Sequence, residues 1–169
     1  MPLELGIWRI EDDRGPTRLD ARRLDLERRL QDMLDQDISI ADEGWMVIGR
    51  EVQASGGRID LLCLNANGDL VALELKRDLT PREVVAQALD YGSWLVDLED
   101  DDIAAIWDAY VSRYHPEKGD QSLDQAFCER FGVTAMPDEL GATTTSCWWP
   151  APSTPAPSAS WPTCASATA

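Results

Sequence analysis

The chain has 169 residues, which is enough for one domain with a hydrophobic core and leaves little room for a second. Its 15 Lys and Arg against 31 Asp and Glu give a net charge of −16, which disfavours nucleic-acid binding by overall charge, because phosphates are contacted by Lys and Arg. No run of 18 apolar residues and no CxxC pair occurs, so the sequence predicts neither a membrane-spanning helix nor a zinc site.

Positive charge is concentrated in the first half of the chain. Residues 1–82 hold 12 of the 15 Lys and Arg and 17 of the 31 Asp and Glu, a net of −5, whereas the remainder has a net of −11. An arginine cluster in this half forms either a basic surface or an ordinary solvated helix face, and comprises Arg14, Arg18, Arg22, Arg23, Arg28 and Arg29. Residues 1–6 show no basic stretch followed by an apolar one, so we expect a cytoplasmic protein without a secretory signal.

The first third of the chain predicts a strand, a loop and a helix in that order. Residues 4–10 are compatible with a short strand, whereas residues 11–18 are charged and contain Gly15-Pro16, which predicts a loop. From residue 19 to about residue 34 the apolar side chains fall on one helical stripe.

Three strands joined by tight turns are predicted next. Residues 45–52 are apolar and rich in strand-forming types, residues 58–64 alternate, and residues 70–76 form the third strand. Gly56-Gly57 and Asn67-Gly68 are typical of the turns between antiparallel strands.

Helices are predicted to follow the strands. Residues 80–83 read Thr-Pro-Arg-Glu, which places a capping Thr first, Pro at the first helical position and Glu three residues after the cap, so a helix should run to about residue 95. The acidic residues 97–102 predict a break, and two further helices are predicted over 103–114 and 123–131.

The last 29 residues, 141–169, contain only Gly, Ala, Thr, Ser, Cys, Trp and Pro, a composition typical of a disordered linker. They nevertheless carry three of the seven Trp and two of the four Cys, which is unusual for a linker. We therefore divide the chain into a domain over 1–140 and a tail over 141–169. We hypothesise that the tail is a frameshifted reading of a GC-rich gene, since moving the frame by one nucleotide permits a peptide with strand and helix character.

Two carboxylates and an ammonium group are predicted to meet on neighbouring strands. Alternate residues of a strand share a face, so Glu74 and Lys76 project together, and Asp60 on the preceding strand can lie beside Glu74. Two carboxylates suit Mg²⁺, which would polarise a phosphate oxygen and acidify a bound water, while Lys76 would orient that water or stabilise charge on the phosphate. Taken alone, Glu-x-Lys in a strand is more often an ordinary half-exposed pair.

Three residues of the flanking helices are further candidates. Glu27 lies at the edge of the apolar stripe of the first helix, where a carboxylate needs a metal ion or a partner such as Arg23. Gln87 and Tyr91 share a helix face and could reach the carboxylates, although helix packing for Tyr91 and solvent exposure for Gln87 fit the spacing equally well. His115 is predicted to be a loop residue rather than a catalytic base.

These motifs resemble those of the PD-(D/E)xK nucleases. Residues 57–62 (Gly-Arg-Ile-Asp-Leu-Leu), 72–77 (Ala-Leu-Glu-Leu-Lys-Arg) and 87–91 (Gln-Ala-Leu-Asp-Tyr) are most similar to the NucS-like, or EndoMS-like, endonuclease domain, which is related to RecB-type nucleases. The resemblance is good over residues 19–97 and extends more loosely to about residue 140.

The resemblance implies an α/β fold with a restriction-endonuclease-like core, in which a mixed central sheet of order αβββαβ is flanked by helices. It implies that Asp60, Glu74 and Lys76 are the catalytic core, and that Gln87 and Tyr91 form the QxxxY element of the RecB-like branch. The metal, Mg²⁺ or Mn²⁺, would be bound by Asp60 and Glu74 with Glu27 as the acid of the first helix. The implied activity is endonucleolytic hydrolysis of branched, mismatched or single-stranded DNA, in repair or defence.

Two departures from the family pattern leave alternatives open. We expect the chain to lack the N-terminal DNA-binding and dimerisation domain of full NucS enzymes, so mismatch specificity does not carry over and a homodimer stays open. The last core strand should fall after residue 140, and an aberrant tail would remove it. A catalytically inactive nucleic-acid-binding module and a protein-interaction domain, the latter favoured by the charge of −16, are therefore the alternative functions.

Overall fold

A computed structural model of the chain describes residues 7–11, 14–19, 27–76, 81–141, 144–150 and 163–167, with side chains described within 28–75 and 86–141. The fold is α/β. Its strands are β1 (Ile7–Glu11), β2 (Arg14–Leu19), β3 (Trp45–Ala54), β4 (Gly57–Asn65), β5 (Leu70–Lys76), β6 (Thr144–Pro150) and β7 (Thr163–Ala167). Its helices are α1 (Glu27–Gln36), α2 (Pro81–Val96), α3 (Asp100–Tyr114) and α4 (Leu123–Phe131).

The main sheet has the strand order β3-β4-β5-β6-β7. Strands β3, β4 and β5 form the predicted antiparallel meander, and β6 runs parallel to β5 with Glu74 opposite Trp148. Strands β6 and β7 lie within the segment predicted to be a linker, while the division of the chain into a domain and a tail stays a prediction. The sheet therefore contains both antiparallel and parallel pairs.

Strands β4 and β5 are buried on both faces, which explains why apolar residues occupy most of their positions. The sequence pattern indicated one apolar face, but Leu62 and Leu64 are as inaccessible to solvent as Leu61 and Cys63. Helices α2, α3 and α4 add Leu95, Trp107 and Phe127 among others to the same core cluster. Within β4 and β5 the polar residues, Arg58, Asp60, Asn65, Glu74 and Lys76, lie near the strand ends.

The sequence located most of the central elements. Strand β5 and helix α4 have the predicted bounds, and α2 differs by one residue at its end. The loop predicted over 11–18 is wrong, because β2 pairs with β1 as an antiparallel hairpin. The predicted first helix is also wrong at its start, since Leu19 ends β2 and α1 begins at Glu27.

The break predicted at the acidic run 97–102 is wrong for its second half. Helix α3 begins at Asp100, and Glu99 and Asp102 form a capping box at its first turn. Carboxylates are stabilised at a helix N-terminus by the exposed N–H groups and the helix dipole, so an acidic run there favours the helix. No helix among the described residues is long and apolar enough to cross a membrane.

A cluster of polar side chains connects α1 to β3 and α3 through hydrogen bonds and ion pairs. The Asp35 carboxylate accepts hydrogen bonds from the Tyr110 hydroxyl at 2.7 Å and from Arg50 at 2.9 Å, and Arg50 also pairs with Asp32. His115 contacts the Tyr110 hydroxyl through Nε2 at 2.8 Å, so this residue at the end of α3 packs into the cluster. Burial by itself lowers the pKa of Arg50, but the hydrogen bonds to the two aspartates outweigh it and raise the pKa.

Candidate active site

The candidate site begins where β4 and β5 stop pairing through their main chains. Their register runs from Leu64 opposite Leu70 to Leu61 opposite Leu73. At the next position the Asp60 side chain takes over, because its Oδ2 accepts a hydrogen bond from the main-chain N–H of Leu75 at 2.7 Å. This bond fixes the Asp60 carboxylate against β5, one residue from Glu74.

Helix α1 holds Asp60 from the opposite side. Gln31, which is only 5% exposed, donates a hydrogen bond from Nε2 to the main-chain oxygen of Asp60 at 2.9 Å. Sequence reasoning missed this residue. The signal was a polar side chain placed between Leu30 and Leu34 in the apolar stripe of α1, since a buried amide must be hydrogen-bonded. Asp60 is thus held at its main chain by α1 and at its side chain by β5.

The sequence predicted six site residues, and the structure brings four of them, Asp60, Glu74, Gln87 and Tyr91, to one cavity of about 340 Å³. The cavity is lined by Gly57, Arg58, Asp60, Glu74, Leu75, Gln87 and Tyr91. Glu74 is only 3% exposed, so its carboxylate lies in the wall of the cavity rather than on the open surface. The catalytic and metal-binding roles assigned to these residues remain predictions.

Gln87 and Tyr91 approach the carboxylates from α2. The Oε1 atom of Gln87 is buried and accepts no hydrogen bond from the part of the chain that the structure describes. The Tyr91 hydroxyl donates to the main-chain oxygen of Arg58 at 3.1 Å. Burial, together with the negative charges of Glu74 and Asp60, raises the pKa of Tyr91 to about 12, so this hydroxyl keeps its proton at neutral pH.

The Gly56-Gly57 turn between β3 and β4 allows α2 to pack close to the strands. A Cβ atom at Gly56 would lie 2.5 Å from the Cβ of Asp90 on α2, which is a clash. Gly57 has a φ of 144°, and a Cβ there would lie 3.2 Å from the Tyr91 hydroxyl. The Gly-Gly pair therefore allows close packing of the turn on α2 as well as the turn itself.

Two of the predicted site residues have side chains outside the described part of the chain. Glu27 is the first residue of α1, and Lys76 is the last residue of β5, where its main chain lies opposite Pro150. Among the described residues, no group of three His, Cys, Asp or Glu side chains is arranged to hold a metal ion. Asp60 and Glu74 are therefore the described part of the predicted metal site.

A second cavity, of about 440 Å³, adjoins the first and shares Arg58, Asp60 and Leu75 with it. Its remaining lining residues are Arg28, Gln31 and Glu51. Glu51 is the one non-glycine residue of the described chain with a positive φ, 55°, and it follows a bulge in β3 between Val47 and Gly49. Sequence reasoning missed Glu51, because neither a bulge nor a left-handed glutamate has a sequence signature here.

Comparison with known proteins bears on the segment that carries this site. Residues 26–106 match the family model described as the Endonuclease NucS C-terminal domain. Over 52 residues the chain is 46% identical to Endonuclease NucS of Streptomyces griseus, 38% to that of Corynebacterium glutamicum and 36% to that of Mycobacteroides abscessus. Each match covers 31% of this chain and 22–23% of the relative, so the matched segment spans less than a quarter of the length of these relatives.

Two solved structures are also similar in part. A chain of the EndoMS–dsDNA complex is 25% identical with a TM-score of 0.38, over 46% of this chain and 34% of that one. A repair endonuclease from Pyrococcus abyssi is 20% identical with a TM-score of 0.35, over 57% of this chain and 36% of that one. The resemblance to NucS-like nucleases predicted from the motifs is confirmed by the family and sequence matches.

Proposed function

We propose that this chain, which carries a NucS-like nuclease domain in residues 26–106, hydrolyses phosphodiester bonds of DNA at the cavity between Asp60, Glu74, Gln87 and Tyr91. The observation that carries the proposal is the hydrogen bond from the Leu75 main chain to the Asp60 side chain, which brings one carboxylate to the strand that bears the other. The relatives are endonucleases by name, which supports cleavage within a strand, and a role in repair or defence is part of the proposal.

The arrangement of elements supports a restriction-endonuclease-like core. Helix α1 precedes the β3-β4-β5 meander, α2 follows it, and β6 lies parallel to β5, which corresponds to the order αβββαβ with α3 and α4 inserted. In this core the two acids occupy the ends of the central strands, where β4 and β5 separate. A phosphodiester can approach such a position without unfolding any of the sheet.

The described donors fit a divalent cation, Mg²⁺ or Mn²⁺. Asp60, Glu74 and the Oε1 atom of Gln87 present oxygen acceptors to one small cavity, and hard cations of this kind prefer oxygen ligands. We assign Asp60 and Glu74 as ligands and Glu27 as the acid of α1 that would complete the set. Such a cation supplies Lewis-acid polarisation of the phosphate and acidifies a bound water.

The chain's own residues then have separate roles. Asp60 is held at two points and orients its carboxylate, while Gln87 offers an acceptor to a water in the cavity. Tyr91 keeps its proton and positions the main chain of Arg58, so we assign it a positioning role. Lys76, two residues after Glu74, would orient the attacking water or stabilise negative charge on the phosphate.

The test is cleavage of supercoiled plasmid, and of single-stranded, mismatched and branched oligonucleotides, with Mg²⁺, Mn²⁺ or EDTA. We expect Asp60→Asn and Lys76→Ala each to lower the metal-dependent rate more than roughly hundredfold. In Asp60→Asn the amide oxygen of the new side chain can still accept the hydrogen bond of Leu75, so the melting temperature should change little. Asp108→Asn, an exposed and charge-matched control on α3, should cleave like the parent chain. Undiminished cleavage by both site variants would remove this site from consideration.

A further inference from the structure

Two arginines of the described chain are already engaged by contacts within the protein. Arg50 has a side chain that is only 10% exposed, and it is held by Asp32 and Asp35. Arg130 donates hydrogen bonds to the main-chain oxygens of Trp45 at 3.0 Å and Glu43 at 2.9 Å. Neither guanidinium can turn to a ligand without breaking contacts that hold the fold together.

Arg58 and Arg113 are held differently. Their side chains are 58% and 69% exposed, and both approach the carboxylate of Glu51. Nη1 of Arg58 lies 3.8 Å from Oε1 of Glu51, and Nη2 of Arg113 lies 3.9 Å from Oε2 of the same carboxylate. These separations are within ion-pair range but too long for hydrogen bonds, so the N–H donors of both arginines stay available to another anion.

Glu51 is in turn fixed in place. The register of β3 with β4 sets Arg50 opposite Leu61 and Val52 opposite Ile59, so Glu51 lies across from Asp60. The Tyr114 hydroxyl donates to Glu51 Oε2 at 3.2 Å, and the Arg113 guanidinium lies 5.0 Å from the centre of the Tyr114 ring. The left-handed backbone of Glu51 therefore places one carboxylate where it gathers two arginines beside the candidate catalytic aspartate.

The two arginines also flank the cavities of the site. Arg58 lines both cavities that meet at Asp60, and Arg113 lines an adjoining cleft of about 600 Å³ between β3 and α3, with Glu51 as a shared wall. An anion bound between them would lie next to the reacting phosphodiester rather than on it. A guanidinium pair suits a phosphate, because each fork can donate two parallel hydrogen bonds to its oxygens.

We propose that Arg58 and Arg113, gathered by Glu51, form a subsite for a non-reacting phosphate of the DNA strand whose scissile phosphate lies at Asp60 and Glu74. The subsite rests on the proposed DNA-directed function and adds a path for the DNA strand. The strand would run from Asp60 across the end of β4, past Glu51, to Arg113 in the last turn of α3. It assigns DNA binding to a local pair of cations within a chain of strongly negative net charge.

The experiment measures binding of a fluorescein-labelled duplex and of its single strand by anisotropy in EDTA, over a series of salt concentrations. We expect Arg58→Gln and Arg113→Gln each to weaken binding and to reduce the slope of log affinity against log salt, and the double variant to lose about 0.9 of that slope on duplex, the amount for one phosphate contact. Arg58→Lys should keep most of the slope. Lys118→Gln, which removes one positive charge beside Trp107 and away from the cavities, should bind like the parent.

The outcomes separate this subsite from the proposed activity. Slopes for Arg58→Gln and Arg113→Gln equal to that of Lys118→Gln would overturn the subsite, even if the parent chain cleaves DNA. If the two variants show reduced slopes but the parent chain does not cleave DNA, the subsite stands and only the proposed activity is overturned. A parent chain with no salt-dependent binding to either oligonucleotide would overturn the subsite as well.

Discussion

At the scale of single residues, the site depends on side chains that replace main-chain pairing. Asp60 accepts from the main chain of Leu75 at the point where β4 and β5 part, and the Tyr91 hydroxyl donates to the main-chain oxygen of Arg58 two residues earlier. The first bond joins β4 to β5 and the second joins α2 to β4, and both lie at the edge of the cavity. The residues around the candidate catalytic carboxylate thus also carry part of the local stability.

Tyr91→Phe isolates one of these bonds. The ring remains in the core while the hydroxyl is lost, so we expect the free energy of unfolding at neutral pH to fall by about 1 kcal/mol. Urea unfolding measures the change. A variant as stable as the parent at pH 7 would mean that water replaces the Tyr91 hydroxyl on the Arg58 carbonyl at no cost.

The same variant gives a pH signature with a defined sign. Because the pKa of Tyr91 is raised to about 12 in the folded protein and is about 10 in an unfolded chain, the folded state retains the proton longer. The stabilisation is complete below about pH 10 and is lost as the pH rises towards 12. We expect the parent to lose stability faster than Tyr91→Phe over this interval in urea unfolding series. Parallel curves for the two proteins would contradict the raised pKa.

Residue types and spacing indicated which side chains could meet, but not what holds them. Strand alternation predicted that Asp60 lies beside Glu74, whereas helical spacing put Gln87 and Tyr91 on one face and fitted helix packing and solvent exposure equally well; the structure places all four at one cavity. Gln31 and Glu51 were missed because their roles depend on packing of α1 and on a bulge in β3, which are tertiary features.

At the scale of elements, the turn before β4 and helix α2 fit together through glycine. Gly56 faces Asp90 and Gly57 faces Tyr91, so the turn can lie against α2 only where side chains are absent. The sequence predicted the turn from its Gly-Gly pair and α2 from its capping signal, yet their contact was not predictable, since it depends on how the helix returns over the sheet. Local signals define elements, whereas packing defines their distances.

Substitution of glycine by alanine should have opposite effects at Gly56 in the turn and at Gly92 in α2. Gly56→Ala places a Cβ 2.5 Å from that of Asp90, so we expect a loss of about 1–3 kcal/mol in unfolding free energy and weaker cleavage as Arg58 shifts. Gly92→Ala lies within α2, where an added Cβ meets nothing within 4 Å, so it should stabilise the protein by about 0.5–1 kcal/mol. Thermal unfolding of both variants checks the signs. A stabilised Gly56→Ala would show that the turn does not pack on α2.

At the scale of the whole molecule, the sheet around β5 is completed by a strand that the sequence did not predict. Strand β5 carries Glu74 and Lys76 and has β4 on one side and β6 on the other. The sequence predicted β5 to the residue, but it indicated a linker where β6 lies, because Thr, Ser and Pro with no Leu, Ile or Val give no strand pattern. Pairing with a neighbour of a different composition is a tertiary effect that local propensity does not reveal.

Truncation tests whether β6 supports the site. A chain ending at Gly141 keeps the hydrogen bond from its main chain to Gly68 but leaves the β5 edge unpaired, so we expect lower stability and faster hydrogen exchange of the Ala72 and Glu74 amides, which alternate with the Leu75 amide that faces β4. A chain ending at Pro150 keeps β6 and should protect those amides better. Equal exchange in all three proteins would instead favour the linker interpretation of residues 141–169. In that case sequencing of the gene for a shifted frame near codon 141 becomes the decisive measurement, because without β6 the strand that carries Glu74 would form an unpaired edge of the sheet.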